Sequence, residues 1–439
     1  MIEENMRKEL QQLCRLLNDK DYVKIYKKSI FELSADDESE KDQYSTTENA
    51  ADFYINKNGV FFTYRLDDPV DIQQIAEWIS GIRKIETTEK KIEFCGGKKY
   101  LSKKQVCSFI KKIKKKVKDI DFDLLYESYE EDIIFGNGIV EIRGFQSVIM
   151  EIDYKKVNFG SFVYTEMPQE QEFISEIREK IKNYKKWERF KKIDVNRDCD
   201  VDMEVECVAL PRVAGQLFHE SIGHLAEADV YESMRNEDVK IGDKVSNQQL
   251  SITDYPGWSG IETGIIFDEE MTLAKPLPII KRGVFQGVMS DKEMHHKGEE
   301  YQLSGFCRSS IDNNMQQIRM RNLVVENGAD EMEECISNIK YGFYIIESDD
   351  AKRENNRIYL HVKKALVIKD GTFIGKVENV WLQNLNREFL QSIAAVFDNG
   401  SWFELYKCRK NGGSIYISYF SPGIVCTMRT IRTFIKKFL

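Results

Sequence analysis

Near residue 194 the chain changes its texture, and that change constrains its fold more than any other feature. Before it, charged helical stretches alternate with short apolar runs. Beyond it, runs of strand character dominate, at 207–210, 264–267, 283–289, 342–346, 357–368 and 413–419. Few long helices interrupt them, the clearest at 212–228, 331–339 and 388–397, and Asp370-Gly371 joins two strands as a strong hairpin signal. A chain of 439 residues exceeds the roughly 300 at which a single core stops growing, so two domains are expected. The fold class is α+β: a mixed α/β N-terminal domain over 1–192, packed on a β-rich C-terminal domain over 193–439.

In the N-terminal part, Leu10, Cys14 and Leu17 recur at helical spacing and predict a helix over 3–17. Two apolar runs flanking Asn56-Lys57-Asn58-Gly59 predict a hairpin, and helices are expected over 71–85 and 103–117. Strands follow over 124–129, 133–142 and 147–154, with breaks at Asn137-Gly138 and Gly144. A charged helix over 170–192 marks the domain boundary.

The net charge is -9, with basic and acidic residues interspersed, which argues against a nucleic-acid footprint. The exception is the basic run from Lys111 to Lys118, whose plain reading is the solvated face of a helix. No stretch approaches the roughly 18 uninterrupted apolar residues of a membrane span, and the first residues are too charged for a secretory signal. Nine cysteines without a close Cys-x-x-Cys pair are best read as free thiols in a reducing cytoplasm.

Only five histidines occur, and two of them flank a glutamate in His219-Glu220-Ser221-Ile222-Gly223-His224. Pro211 suits the first turn of a helix there, and Val213, Leu217, Ile222 and Leu225 can supply its buried side. The histidines are five positions apart, so a regular α-helix would splay them by about 140°. They could not then hold one metal ion. A π-type bulge brings them back to within roughly 50°, and Gly223 sits where such distortion is tolerated. A catalytic zinc needs a further protein ligand and an open position. Glu227 or Asp229 can orient a ligand imidazole, and a thiolate from elsewhere in the chain can complete the set.

The segment resembles the signature of the TldD/PmbA family of cytoplasmic zinc peptidases, whose TldD-type members carry a HExxxH helix and a distal cysteine. The similarity runs on through Gly223-His224-Leu225-Ala226-Glu227-Ala228-Asp229. Downstream, Gly264-Ile265-Ile266-Phe267-Asp268-Glu269-Glu270, the Gly283 to Gly287 hairpin, Arg319-Met320-Arg321-Asn322, Tyr341-Gly342 and Lys407-Cys408-Arg409-Lys410-Asn411-Gly412 fall in the family's order. Leu225-Ala226 is bulkier than the family pattern, and Arg409 replaces its usual glycine.

The resemblance implies zinc held by His219, His224 and Cys408, with Cys307 and Cys426 as the other thiols to weigh, and Glu220 as general base. Arg319 and Asn322 would hold substrate or form a buried hydrogen-bonded pair. It further implies hydrolysis of small or unfolded peptides by a homodimer or a heterodimer with a related subunit. The competing expectation is a non-hydrolytic zinc-holding or peptide-binding accessory in peptide maturation. A third, a nucleic-acid or membrane binder built on the basic run, is opposed by the negative net charge. His295-His296, adjacent and so pointing to different sides, reads as a polar surface turn.

Overall fold

The computed structural model describes residues 12–35, 40–58, 60–67, 72–85, 93–96, 103–118, 120–154, 157–164, 168–193, 203–234, 239–257, 264–298, 301–310 and 315–431. It forms two compact units, one of Met1–Ile181 with Glu262–Met271, the other of Lys182–Ile261 with Thr272–Leu439. Most of the expected helix over 3–17 lies outside the described residues; 12–16 is helical.

The first unit is built on a seven-stranded sheet. Its strands are β1 (Tyr22–Ala35), β2 (Glu40–Lys57), β3 (Val60–Asp67), β4 (Glu93–Gly96), β5 (Ile120–Phe135), β6 (Ile139–Tyr154) and β7 (Val157–Tyr164). They run in the order β3-β2-β1-β5-β6-β4, with β7 also on β6, and only β4 is parallel to its neighbour. The β2–β3 hairpin turns at Asn58, whose φ of 56° asparagine adopts more readily than most residues. Where sequence pattern gives three strands over 124–154, the chain forms two long ones. The turn at Asn137-Gly138 separates them, whereas Gly144 lies inside β6 opposite Glu130.

Helices α1 (Ile72–Ile82), α2 (Lys103–Lys116) and α3 (Glu170–Glu188) accompany the sheet. Val106, Ile110 and Ile113 of α2 and Phe173 and Ile177 of α3 are buried against Leu124, Val148, Met150 and Ile152. The opposite face of α2 exposes Lys111, Lys112, Lys115 and Lys116, as a solvated charge run should. Residues 264–267, expected as a strand, are not one. Both carboxylate oxygens of buried Glu141 take their backbone N–H groups, at 2.7 Å for Ile266 and 3.2 Å for Phe267, and Glu269 pairs with buried Lys24 at 2.8 Å. That side-chain capture holds the segment as a loop.

The second unit contains two six-stranded sheets. In one, β8 (Glu204–Ala209), β17 (Tyr341–Glu354), β18 (Arg357–Lys369), β19 (Thr372–Leu385) and β23 (Ile424–Ile431) pair in sequence, with β20 (Ala395–Val396) on β23. The extra β19–β23 pairing closes those five strands into a barrel, removing their edges. The β18–β19 hairpin turns at Asp370-Gly371, both with positive φ (47° and 73°).

The other sheet holds β9 (Ile252–Tyr255), β10 (Leu277–Lys281), β11 (Val284–Phe285), β16 (Asn322–Val325), β21 (Ser401–Lys410) and β22 (Gly413–Ser421). Two separate two-stranded pairs, β12 (Val288–Ser290) with β13 (Tyr301–Leu303) and β14 (Cys307–Ser309) with β15 (Gln316–Ile318), complete the unit. The expected strand over 283–289 is thus split into β11 and β12. The expected helix over 388–397 is instead a one-and-a-half-turn helix, Asn386–Gln391, followed by β20. α+β, with the strands concentrated in the C-terminal part, is the observed class.

One helix joins the two sheets of this unit. α4 (Pro211–Phe218) starts after β8 with Pro211 in its first turn and no side-chain cap, and it buries Val213, Ala214, Leu217 and Phe218. A Cβ on Gly215 would lie 2.3 Å from Cε2 of the buried Tyr419 ring on β22, so the helix can approach the sheet only with glycine there. Gly215→Ala is therefore expected to destabilise the protein by about 1–3 kcal/mol, read as a lower urea midpoint with an unchanged m-value.

Candidate metal centre

α4 does not continue as an α-helix. Residues His219–Gly223 form a π-helical turn, in which the His224 N–H reaches the His219 carbonyl five residues back at 3.1 Å. This is the widened turn the five-residue spacing demands, and it leaves the two imidazole centroids 4.7 Å apart. Beyond it the chain turns through 224–226 before a second helix, Ala228–Met234, so the single helix expected over 212–228 is three pieces. Gly223 also makes room: a Cβ there would stand 3.0 Å from both Sδ and Cε of buried Met320. Asn386, fully buried, donates its side-chain amide to the Ser221 carbonyl inside the turn at 3.0 Å.

β21 brings Cys408 to the same place. One nitrogen from each of His219 and His224 and the Cys408 sulfur lie within 4.8 Å of one another, with Cys408 Sγ 3.3 Å from His224 Nε2. Tetrahedral zinc with two imidazoles and a thiolate spaces its ligand atoms roughly 3.3–3.6 Å apart, a spacing the Cys408–His224 pair already has and the wider separations, at most 4.8 Å, approach. Cys307 and Cys426 do not join them. Cys307 lies on β14 with Sγ 3.9 Å from Gln316 Oε1, and Cys426 is buried opposite Cys207, where burial pushes its thiol up to about 12.

Charge favours the same assignment. Burial works to raise the Cys408 thiol, but His219 and His224 outweigh it and hold the thiol well below its ordinary value. Burial works to lower the His224 imidazole, but Glu227 and Cys408 outweigh it and raise it well above the usual histidine range. A thiolate and a carboxylate thus converge on one imidazole, an arrangement that favours a cation among them.

Glu227 is wholly buried and accepts from His224 Nδ1 at 3.0 Å, which leaves Nε2 directed to the cysteine sulfur. Its other oxygen accepts the Met320 N–H at 3.2 Å. Burial alone would raise this carboxyl; His224, Lys410 and Arg319 bring it down to about 2. Asp229 is exposed and pairs with Lys410 at 2.7 Å. Glu220 lies beside the ligand group without belonging to it. Its Oε1 is 3.6 Å from His219 Nε2, and its Oε2 accepts the Arg353 N–H of β17 at 3.2 Å. Burial raises this carboxyl above its ordinary range against the opposing pull of the two histidines.

The other expected site residues are placed deeper. Arg319 is fully buried, donates to the Cys408 carbonyl at 2.9 Å and stands 3.7 Å from Glu227. Asn322 is fully buried and its amide holds the Tyr255 carbonyl at 2.9 Å, tying β16 to β9. His295 ends a short helix, Lys292–His295, with Nδ1 2.5 Å from the Tyr301 carbonyl, and His296 is exposed. Pattern reading gave no role to Lys410, whose signal was strand alternation: two positions past Cys408, it shares that residue's face. The Arg353 N–H and the Asn386 amide had no signal, since a backbone donor has no side-chain identity and Asn386 is 165 residues from its partner.

The chain is similar to known proteins in sequence and in fold. Residues 202–431, just over half of the chain, match the family described as PmbA/TldA metallopeptidase C-terminal domain. Among curated proteins, the chain is similar to a zinc metalloprotease TldD homolog of Saccharolobus solfataricus, 25% identical over 228 residues covering 50% of each protein. It is also similar to a metalloprotease TldD homolog of Haemophilus influenzae, 23% identical over 214 residues covering 48% of this chain and 44% of that one. The matched region spans about half the length of these relatives. The fold resembles the crystal structure of TldE from Thermococcus kodakarensis, with a TM-score of 0.69 at 14% identity over 97% of this chain and 100% of that one. On the extent of the domain match, this chain belongs to the PmbA/TldD family, a family of metallopeptidases.

Proposed function

We propose that this chain is a zinc-dependent peptidase acting on small or unfolded peptides. The observation that carries the reading is the convergence of His219, His224 and Cys408 donors within 4.8 Å, with the Glu220 carboxylate 3.6 Å from a ligand imidazole. When bound, zinc supplies a Lewis acid that polarises a peptide carbonyl and makes water acidic enough to give up a proton near neutral pH. Glu220 is then the proton carrier. The Arg353 N–H fixes Oε2, so Oε1 takes the proton from the attacking water and hands it to the departing amine. A carboxyl raised by burial suits both halves of that exchange. His219 and His224 supply neutral nitrogen donors and Cys408 a thiolate, while Glu227 holds His224 in its ligating orientation.

The proposal includes a dimer, either of two copies or with a related subunit, and a cytoplasmic location. No helix among the described residues is long and apolar enough to cross a membrane.

The test measures metal content and cleavage on the same sample. The expected result is one zinc per chain and cleavage of an unstructured peptide that a chelator abolishes and added zinc restores. Zinc bound without cleavage of any unstructured peptide would select the accessory role instead, and protein that binds no zinc at micromolar concentration would remove both.

A further inference from the structure

Lys410 follows Cys408 by two residues on β21, and exposed Arg409 separates them. Strand alternation therefore carries the lysine toward the metal centre and the arginine away from it. Its side chain is only 8% exposed, little for a residue type that seldom leaves solvent without a partner. Its ammonium has three acceptors: Glu227 Oε2 at 2.9 Å, Asp229 Oδ1 at 2.7 Å and the Ile318 carbonyl at 3.1 Å. The same Glu227 oxygen meets His224 Nδ1 at 3.0 Å. The other Glu227 oxygen is held by the Met320 N–H and faces Arg319, whose guanidinium reaches back to the carbonyl of Cys408. Two elements that carry ligands, the π turn and β21, are thus linked through one buried carboxylate and two cations.

We propose that Lys410 is a positioning residue of the metal centre. By pinning Glu227 it fixes the plane and tautomer of His224, so that Nε2 is presented beside the Cys408 sulfur. The inference rests on the zinc reading above but concerns what sets the affinity for the metal, which does not require turnover. Without Lys410, Glu227 keeps the Met320 N–H and Arg319 at 3.7 Å on one oxygen, but its Oε2 is left with the His224 ring as its partner and is freer to turn. The lysine removes that freedom. A lysine serving only the surface would face Asp229, whose side chain is 43% exposed, and would contribute little.

The experiment titrates the full-length metal-free protein with zinc alone, and in parallel with cobalt(II), whose thiolate charge-transfer absorption reports Cys408 ligation. Lys410→Met is expected to weaken zinc binding 10–100-fold, as loss of groups supporting metal ligands does, and to diminish the cobalt–thiolate band. Lys410→Arg, which keeps a cation and several N–H donors, is expected to recover most of the loss. Wild-type zinc affinity in Lys410→Met overturns the inference while leaving the zinc reading intact. Failure of the wild-type protein to bind zinc overturns that reading itself. Should Lys410→Met not fold by circular dichroism, Lys410→Gln reads the same quantity: a weakened affinity supports the role, and wild-type affinity overturns it.

Discussion

Glu220→Gln is expected to lower peptide hydrolysis by about 10²–10⁴-fold while the zinc content stays at the wild-type level. The separation follows from geometry. Glu220 is not among the three clustered donors, and its Oε2 is held by the Arg353 N–H, a bond the glutamine carbonyl can accept equally well. The shape and one hydrogen bond survive, and only the capacity to take up and release a proton at Oε1 is lost. Measuring kcat/KM on an unstructured peptide together with zinc by mass spectrometry separates the two properties. Activity above a tenth of wild type would assign the proton transfers elsewhere, and zinc loss would make Glu220 part of the ligand framework.

The distorted turn at the candidate metal centre was legible because its spacing conflicts with regular structure. Two histidines five residues apart around a glutamate make no sense on a straight α-helix, and the π turn at His219–Gly223 is the resolution. Hairpins were legible where the turn residues must adopt positive φ, as at Asn58 and at Asp370-Gly371. Elements held by partners far along the chain were not. Barrel closure depends on β23 reaching both β8 and β19, and β8 pairs in parallel with β17, which begins more than 130 residues later. No local pattern encodes such pairing. Residues 264–267 carry strand-like side chains, yet Glu141 and Lys24 capture the segment and its immediate neighbours, a tertiary effect that overrides propensity. The support around Glu227 was half legible. Glu227 itself stands three residues from His224, whereas Lys410, Arg319 and the Met320 N–H reach it across 183, 92 and 93 residues of chain.

The largest loss of stability is expected from Asp254→Ala, about 3–5 kcal/mol, because it strands a buried guanidinium. Arg321 is fully buried; its Nε and its backbone N–H both donate to Asp254, each at 2.7 Å. Its remaining donors go to the carbonyls of Ser304 at 2.7 Å, Gly305 at 3.2 Å and Lys275 at 2.8 Å, and its plane lies 3.9 Å over the Phe306 ring. Carbonyls satisfy the N–H groups but cannot neutralise the charge, which only the carboxylate of Asp254 does in this network. Arg321 directly precedes β16 and directly follows Met320, whose N–H holds Glu227. Loosening the pair therefore reaches the candidate metal centre, and if the zinc reading holds, zinc affinity falls along with the urea midpoint. Asp254→Leu combined with Arg321→Met tests the cause, since removing both charges spares the cost of burying one alone. The double variant is expected to be more stable than Asp254→Ala. A double variant less stable than the single one would show that packing around these side chains, rather than the unpaired charge, sets the loss.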